Sequence, residues 1–169
     1  AGVSGRHREG AGAGRLARIQ RALTAPAAAR AADSAILENH GPVTKRPFFL
    51  LSNDDGIDAP GMAALRRAVE GIGGAIVAAP DHERSAGGHA VTLKREIAVQ
   101  RRGPAEAPWG WAVNGSPADC VKIALCRLLD RRPDWVISGI NSGMNAGNSV
   151  FYSGTVTAAK EGAMCGLPS

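Results

Sequence analysis

From residue 47 onward the sequence alternates short apolar runs with segments whose apolar residues recur at helical spacing, and this alternation constrains the fold more than any other feature. Residues 48–52 read as a strand buried on both faces. Residues 61–71 read as a helix with Met62, Leu65, Val69 and Ile72 on one face. A second apolar strand over 75–79 closes at Pro80, and a polar loop over 81–90 follows. Residues 91–100 and 111–113 are expected as short strands flanking a variable, Pro-containing connection. Residues 116–129 carry strong helix signals: Ser116 as cap, Pro117 in the first turn, Asp119 inside the positive end, and Val121, Leu125 and Leu128 on one face. Residues 135–140 read as another buried strand. After a Gly/Asn/Ser-rich loop, 154–164 forms a last helix that stops at Gly166 and Pro168. This order predicts an α/β fold, a parallel sheet wound with helices on both faces.

Residues 1–46 have a different character. The chain of 169 residues carries a formal charge of +5, and eight basic against three acidic groups fall within 1–46, leaving twelve of each sign in the rest. The charge therefore belongs to an Ala/Gly/Arg-rich tail without aromatic residues or a sustained apolar face, expected to stay largely unfolded. A transit-like presequence, a weak phosphate-seeking arm and an inert extension are the readings open for it. Residues 47–169 form the expected domain. No stretch approaches the ~18 apolar residues of a membrane span, so a soluble, cytoplasmic protein is expected. Cys120, Cys126 and Cys165 are odd in number and lack CxxC spacing, which suits buried thiols in a reducing compartment.

In parallel α/β sheets ligands bind beyond the carboxyl ends of the strands. Asp54 and Asp55 lie there after the first strand, Asp81–Ser85 after the second, and Ser138–Asn141 after the strand that begins at Trp135. Two adjacent carboxylates repel, and a divalent cation offsets that cost. Oxygens from Asp54, Asp55, Ser85 and Asn141 suit a hard ion such as Mg²⁺ or Mn²⁺ better than zinc. Asn-Asp-Asp-Gly is equally a common turn, and spacing alone leaves both readings open. The loops over 142–148 and 152–155 lead into a helix start, where free N–H groups and the hydroxyls of Ser153 and Thr155 favour a phosphate, or serve only as a helix cap. A metal pair and an anion nest at one edge suggest phosphate-ester hydrolysis.

Four ordered blocks, LLSNDDGIDAPG, VAAPDHERSAGG, VNGSPADCVKIAL and DWVISGINSGMNAGNSVFYSGTVTAAKEG, resemble the SurE family of stationary-phase survival proteins, metal-dependent nucleotidases with a Rossmann-like domain. The resemblance runs from about Phe48 to the last residue. It implies that Asp54, Asp55, Ser85 and Asn141 hold one divalent ion, Mn²⁺ or Mg²⁺, with Asp54 and Asp55 catalytic. It places Asn53, Gly56, Asn114, Ser153, Gly154 and Thr155 around the substrate phosphate, and Ser116 and Asp119 in a block that helps shape the site. The implied substrates are nucleoside 5′- and 3′-monophosphates, with short polyphosphate secondary. The implied mechanism is in-line attack on phosphorus by a metal-activated water, the ion also taking up phosphoryl charge. His82 and His89 read as loop and structural residues, and Trp109 and Trp111 as sheet-edge packing rather than base stacking.

Family members continue beyond Gly-Leu-Pro-Ser and form dimers or tetramers. The expectation is therefore a domain truncated at its C-terminal end, with a complete metal site, an incomplete substrate pocket and impaired assembly. A non-catalytic metal- or nucleotide-binding module is the alternative, as is an exopolyphosphatase-like activity. Nucleic-acid binding through the basic tail ranks last.

Overall fold

The computed structural model describes residues 46–84, 90–92 and 94–169. The stretch read as an unfolded tail lies outside these residues apart from Arg46, as do Ser85 and His89.

Five strands form one sheet: β1 (Phe48–Ser52), β2 (Gly74–Pro80), β3 (Val99–Arg102), β4 (Gly110–Val113) and β5 (Trp135–Ser138), in the order β3-β4-β2-β1-β5. β1 is an interior strand and pairs in parallel with β2 (Leu50 beside Ile76) and with the edge strand β5 (Leu50 beside Val136). β2 also runs parallel to β4. Helix α1 (Pro60–Glu70) joins β1 to β2, α2 (Pro117–Ile123) joins β4 to β5, and α3 (Gly154–Met164) follows β5.

The unbroken apolar run of β1 is explained by helices on both faces. Successive side chains point to opposite sides. Phe49 and Leu51 join Met62, Leu65 and Val69 of α1, with Val77 and Ala79. Leu50 joins Cys120, Val121 and Ala124, with Ala158 of α3 and Leu167. Ile72, expected on the buried face of α1, lies beyond the helix and is mostly exposed.

Three expectations are revised. Where a strand was expected over 91–100, the described residues form one at Val99–Arg102, and it runs antiparallel to β4, so the outermost strand departs from the parallel pattern. Thr92 makes no ladder bond; its backbone N–H and hydroxyl both donate to the carboxylate of Asp119, at 2.9 and 2.7 Å. The helix expected over 116–129 is α-helical only to Ile123. Ala124–Leu128 widens into a π turn in which the N–H of Leu129 reaches the Ala124 carbonyl, and Leu129 rather than Leu128 packs on the core. β5 ends at Ser138 instead of residue 140, because the chain turns away at Gly139, where φ is +136°.

Beyond Gly139 the chain passes against the first turn of α1. A Cβ on Gly61 would overlap the carbonyl oxygen of Ile140, so only glycine permits this approach. After α3, Gly166 (φ +74°) reverses the chain, and the carbonyl of Pro168 accepts from the N–H of Val136 on the outer edge of β5. No helix among the described residues is long and apolar enough to cross a membrane.

Candidate functional site

Three strand ends are stitched together at the carboxyl edge of the sheet. The N–H of Arg84 donates to the Asp54 carbonyl, that of Ile57 to the Pro80 carbonyl, and that of Gly139 to the Ser52 carbonyl. Within this frame Asp54, Asp55, Asn141, Ser142, Gly143, Asn145, Ser149, Tyr152 and Ser153 line a cleft of about 430 Å³.

Asp54 is buried at the bottom. The Thr155 hydroxyl donates to its Oδ1, and Gly154, the first residue of α3, stands against its side chain. The amide oxygen of Asn141 lies 3.0 Å from the same Thr155 hydroxyl, while Asn141 Nδ2 donates to the Gly143 carbonyl at 2.8 Å. A hydroxyl has one proton. Among the described residues, three oxygens, from Asp54, Thr155 and Asn141, therefore share a single hydrogen. Such a surplus of acceptors suits a cation.

Asp55 is half-buried and held differently. Both its oxygens accept from Ser142, Oδ2 from the backbone N–H at 3.1 Å and Oδ1 from the hydroxyl at 3.0 Å. Each carboxylate oxygen keeps further acceptor capacity after one such bond. Among the described residues no cluster of three or more His, Cys, Asp or Glu side chains could hold a metal. An ion here would rest on two carboxylates and neutral oxygens, the donor set that Mg²⁺ and similar hard ions accept while retaining water.

Ser153 caps α3, its Oγ accepting from the Val156 N–H at 3.1 Å, and also faces the cleft. Asn53, Gly56 and Asn114 do not line it. Asn53 is buried, its Nδ2 donating to the Gly56 carbonyl at 2.9 Å while its Oδ1 has no partner among the described residues. Gly56 takes φ +105° with the His82 backbone 3.3 Å from where a Cβ would stand. These two residues shape the turn that presents Asp54 and Asp55.

Asn114, Ser116 and Asp119 act on the loop after β2. Asn114 Oδ1 accepts from Arg84 Nη2 at 2.8 Å, and the Ser116 hydroxyl donates to the Ala90 carbonyl at 2.5 Å. Asp119 closes a capping box with Ser116 and holds Thr92. Burial alone would raise the Asp119 carboxyl, but the bonds from Thr92 and Ser116 outweigh it and hold the group below the usual carboxylate value. The start of α2 thus grips the described residues on both sides of 85–89.

His82 is exposed and pairs with Asp81, Nδ1 to Oδ1 at 2.6 Å. Trp109 packs against the α1 core cluster beneath the Arg66 guanidinium, 4.3 Å from its ring centre. All three cysteines are free thiols. The expectations for the site left out Ser142, Asn145, Ser149 and Tyr152 as site residues. Their only sequence signal was membership of the polar loop before α3.

The family described as Survival protein SurE matches residues 49–169. The chain belongs to the SurE family. It is 55% identical over 123 residues to the 5'-nucleotidase SurE of Desulforudis audaxviator, an alignment covering 72% of this chain and 48% of that protein. It is 51% identical over 125 residues to the 5'-nucleotidase SurE of Synechococcus sp., covering 72% and 48% respectively. Among solved structures it resembles the SurE protein of Aquifex aeolicus, with TM-score 0.66, 42% identity, and 73% of this chain and 49% of that one covered. The α/β fold is thus shared with the SurE family at substantial identity. The chain spans about half the length of the relatives it matches.

Proposed function

We propose that this chain supplies the metal- and phosphate-binding part of a phosphomonoesterase that hydrolyses nucleoside 5′- and 3′-monophosphates with one Mn²⁺ or Mg²⁺. The carrying observation is the oxygen cluster of Asp54, Thr155 and Asn141, which has one proton among three acceptors and opens into a cleft beside Asp55. The names of the relatives, 5'-nucleotidases, support the reaction class.

Asp54, Asp55 and the Asn141 amide oxygen hold the ion, with Ser85 as the further ligand that the family resemblance implies. A divalent ion there would acidify a water molecule and offset phosphoryl charge. Asp54 is kept in place by Thr155 and Gly154. Asp55, fixed by Ser142 and more open to solvent, receives a proton on the remaining acceptor capacity of its oxygens. The N-terminus of α3, with the N–H groups of Gly154 and Thr155 and the Ser153 hydroxyl, orients the phosphate. Asn53 and Gly56 support the turn beneath it, and Asn114 secures the loop after β2. The catalytic domain begins near residue 47, and the working protein is a homo-oligomer of the cytoplasm.

Phosphate release from a panel of nucleoside monophosphates, with Mn²⁺, Mg²⁺ or chelator, tests the reading. Metal-dependent release is expected. Release unaffected by chelator, or a folded chain that neither binds Mn²⁺ nor releases phosphate, would overturn it.

A further inference from the structure

The segment before α3 exposes apolar surface that the core does not explain. Gly147–Tyr152 forms a 3-10 turn in which Phe151 and Tyr152 are 78% and 67% exposed. Of these two, only Tyr152 lines the cleft. Its backbone is held near the charged end. Gly154, two residues later, is in contact with Asp54, and consecutive Cα atoms are 3.8 Å apart, so the Cα of Tyr152 lies within about 8 Å of that of Gly154. The intervening Ser153 is fixed by its cap bond to Val156. Tyr152 is therefore tethered close in the chain to the residue that meets Asp54, in the cleft that Asp54 and Asp55 also line.

An exposed tyrosine beside a polar cleft presents a flat apolar face at low conformational cost. The ligand complementary to this arrangement has an anionic group at one end and a flat π system at the other. Asn145 and Ser149 line the same cleft and offer hydrogen-bonding groups to ligand hydroxyls.

We infer that Tyr152 is the platform on which the nucleobase of the substrate stacks, and so the residue that favours nucleotides over other phosphate monoesters. This rests on the phosphatase reading above. Stacking tolerates any base, because every base has a π face. Tyr152 therefore selects for the presence of a base without choosing its identity.

The test is calorimetric binding, in Mn²⁺, of two ligands whose P–C bond resists hydrolysis: the 5′-phosphonate analogue of AMP, and the ribose phosphonate lacking the base. Wild-type chain is expected to bind the first at least about tenfold more tightly, the scale of one aromatic stack. Tyr152→Ala should bring the ratio near one and Tyr152→Phe should retain it. Phe151→Ala, which removes an exposed aromatic outside the cleft wall, should leave it unchanged. A ratio that survives in Tyr152→Ala, or that is already one in wild type, overturns the inference and leaves the phosphatase reading intact. Failure of folded wild-type chain to bind either ligand overturns both.

Discussion

Gly154 lies so close to Asp54 that a Cβ on it would stand 2.5 Å from the Asp54 Cβ and 2.8 Å from Oδ2. Helix α3 can start against this carboxylate only because its first residue has no side chain. Gly154→Ala must displace either Asp54 or the helix start, an overpacking that typically costs about 1–3 kcal/mol. The expected outcome is a lower melting temperature together with weakened Mn²⁺ binding. A variant that melts lower but binds Mn²⁺ as tightly as wild type would show that the approach serves packing alone.

Asp54→Asn keeps the shape of the side chain and removes its charge. The chain should stay folded, with the stabilisation by Mn²⁺ in a thermal melt abolished. Any metal-dependent phosphate release should fall by more than about a hundredfold, since loss of even an indirect partner of a metal ligand costs 10- to 100-fold. Retained Mn²⁺ stabilisation would remove Asp54 from the set of ligands.

Asp119 makes stability pH-dependent. Its carboxyl in the folded chain lies below the ordinary value of 3.8, because the hydrogen bonds from Thr92 and Ser116 prevail over the burial that opposes them. The stabilisation is therefore complete above about 3.8 and is lost as pH falls through the lower, folded value. Asp119→Asn should reduce stability at pH 7 by about 1–3 kcal/mol, the range for losing hydrogen bonds to a buried charged group. Urea unfolding at pH 7 and pH 3 should show the gap between wild type and variant narrowing at the lower pH. A gap of constant size would contradict the assignment.

Cys120 should be chemically silent in the folded protein. It is fully buried, and burial, with the Asp119 and Asp81 charges, pushes its thiol far above the ordinary value. Cys126 and Cys165 are only half-buried. Titration with a thiol reagent at pH 8 should modify Cys120 only after denaturant is added, as peptide mapping would reveal. Modification of Cys120 in native conditions at the rate of the other two would refute this.

Where local chemistry decides an element, the sequence was a sufficient guide. Helix α3 runs over the expected residues because Ser153 caps it and Gly166 reverses the chain. The apolar runs that became β1 and β2 could be recognised because burial on both faces leaves no polar alternation. Distant partners were invisible. That Thr92 would donate to the Asp119 carboxylate, 27 residues away, instead of joining a ladder was not legible locally. Ser142 was read only as part of a loop favouring phosphate, and its hold on Asp55 went unseen because that partner lies 87 residues earlier. The residues of the oxygen cluster were legible as types, but that Thr155 has one proton for two neighbouring acceptors is a matter of geometry alone.

The contact between Gly61 and the Ile140 carbonyl ties opposite sides of the molecule. Helix α1 covers the sheet face away from α3, yet its first turn bears on the loop that delivers Asn141. A methyl group added at position 61 would push that loop before it disturbed anything else nearby. In a library of random variants, position 61 should behave as part of the cleft, and selection for altered ion preference should recover paired changes there and at 139–141.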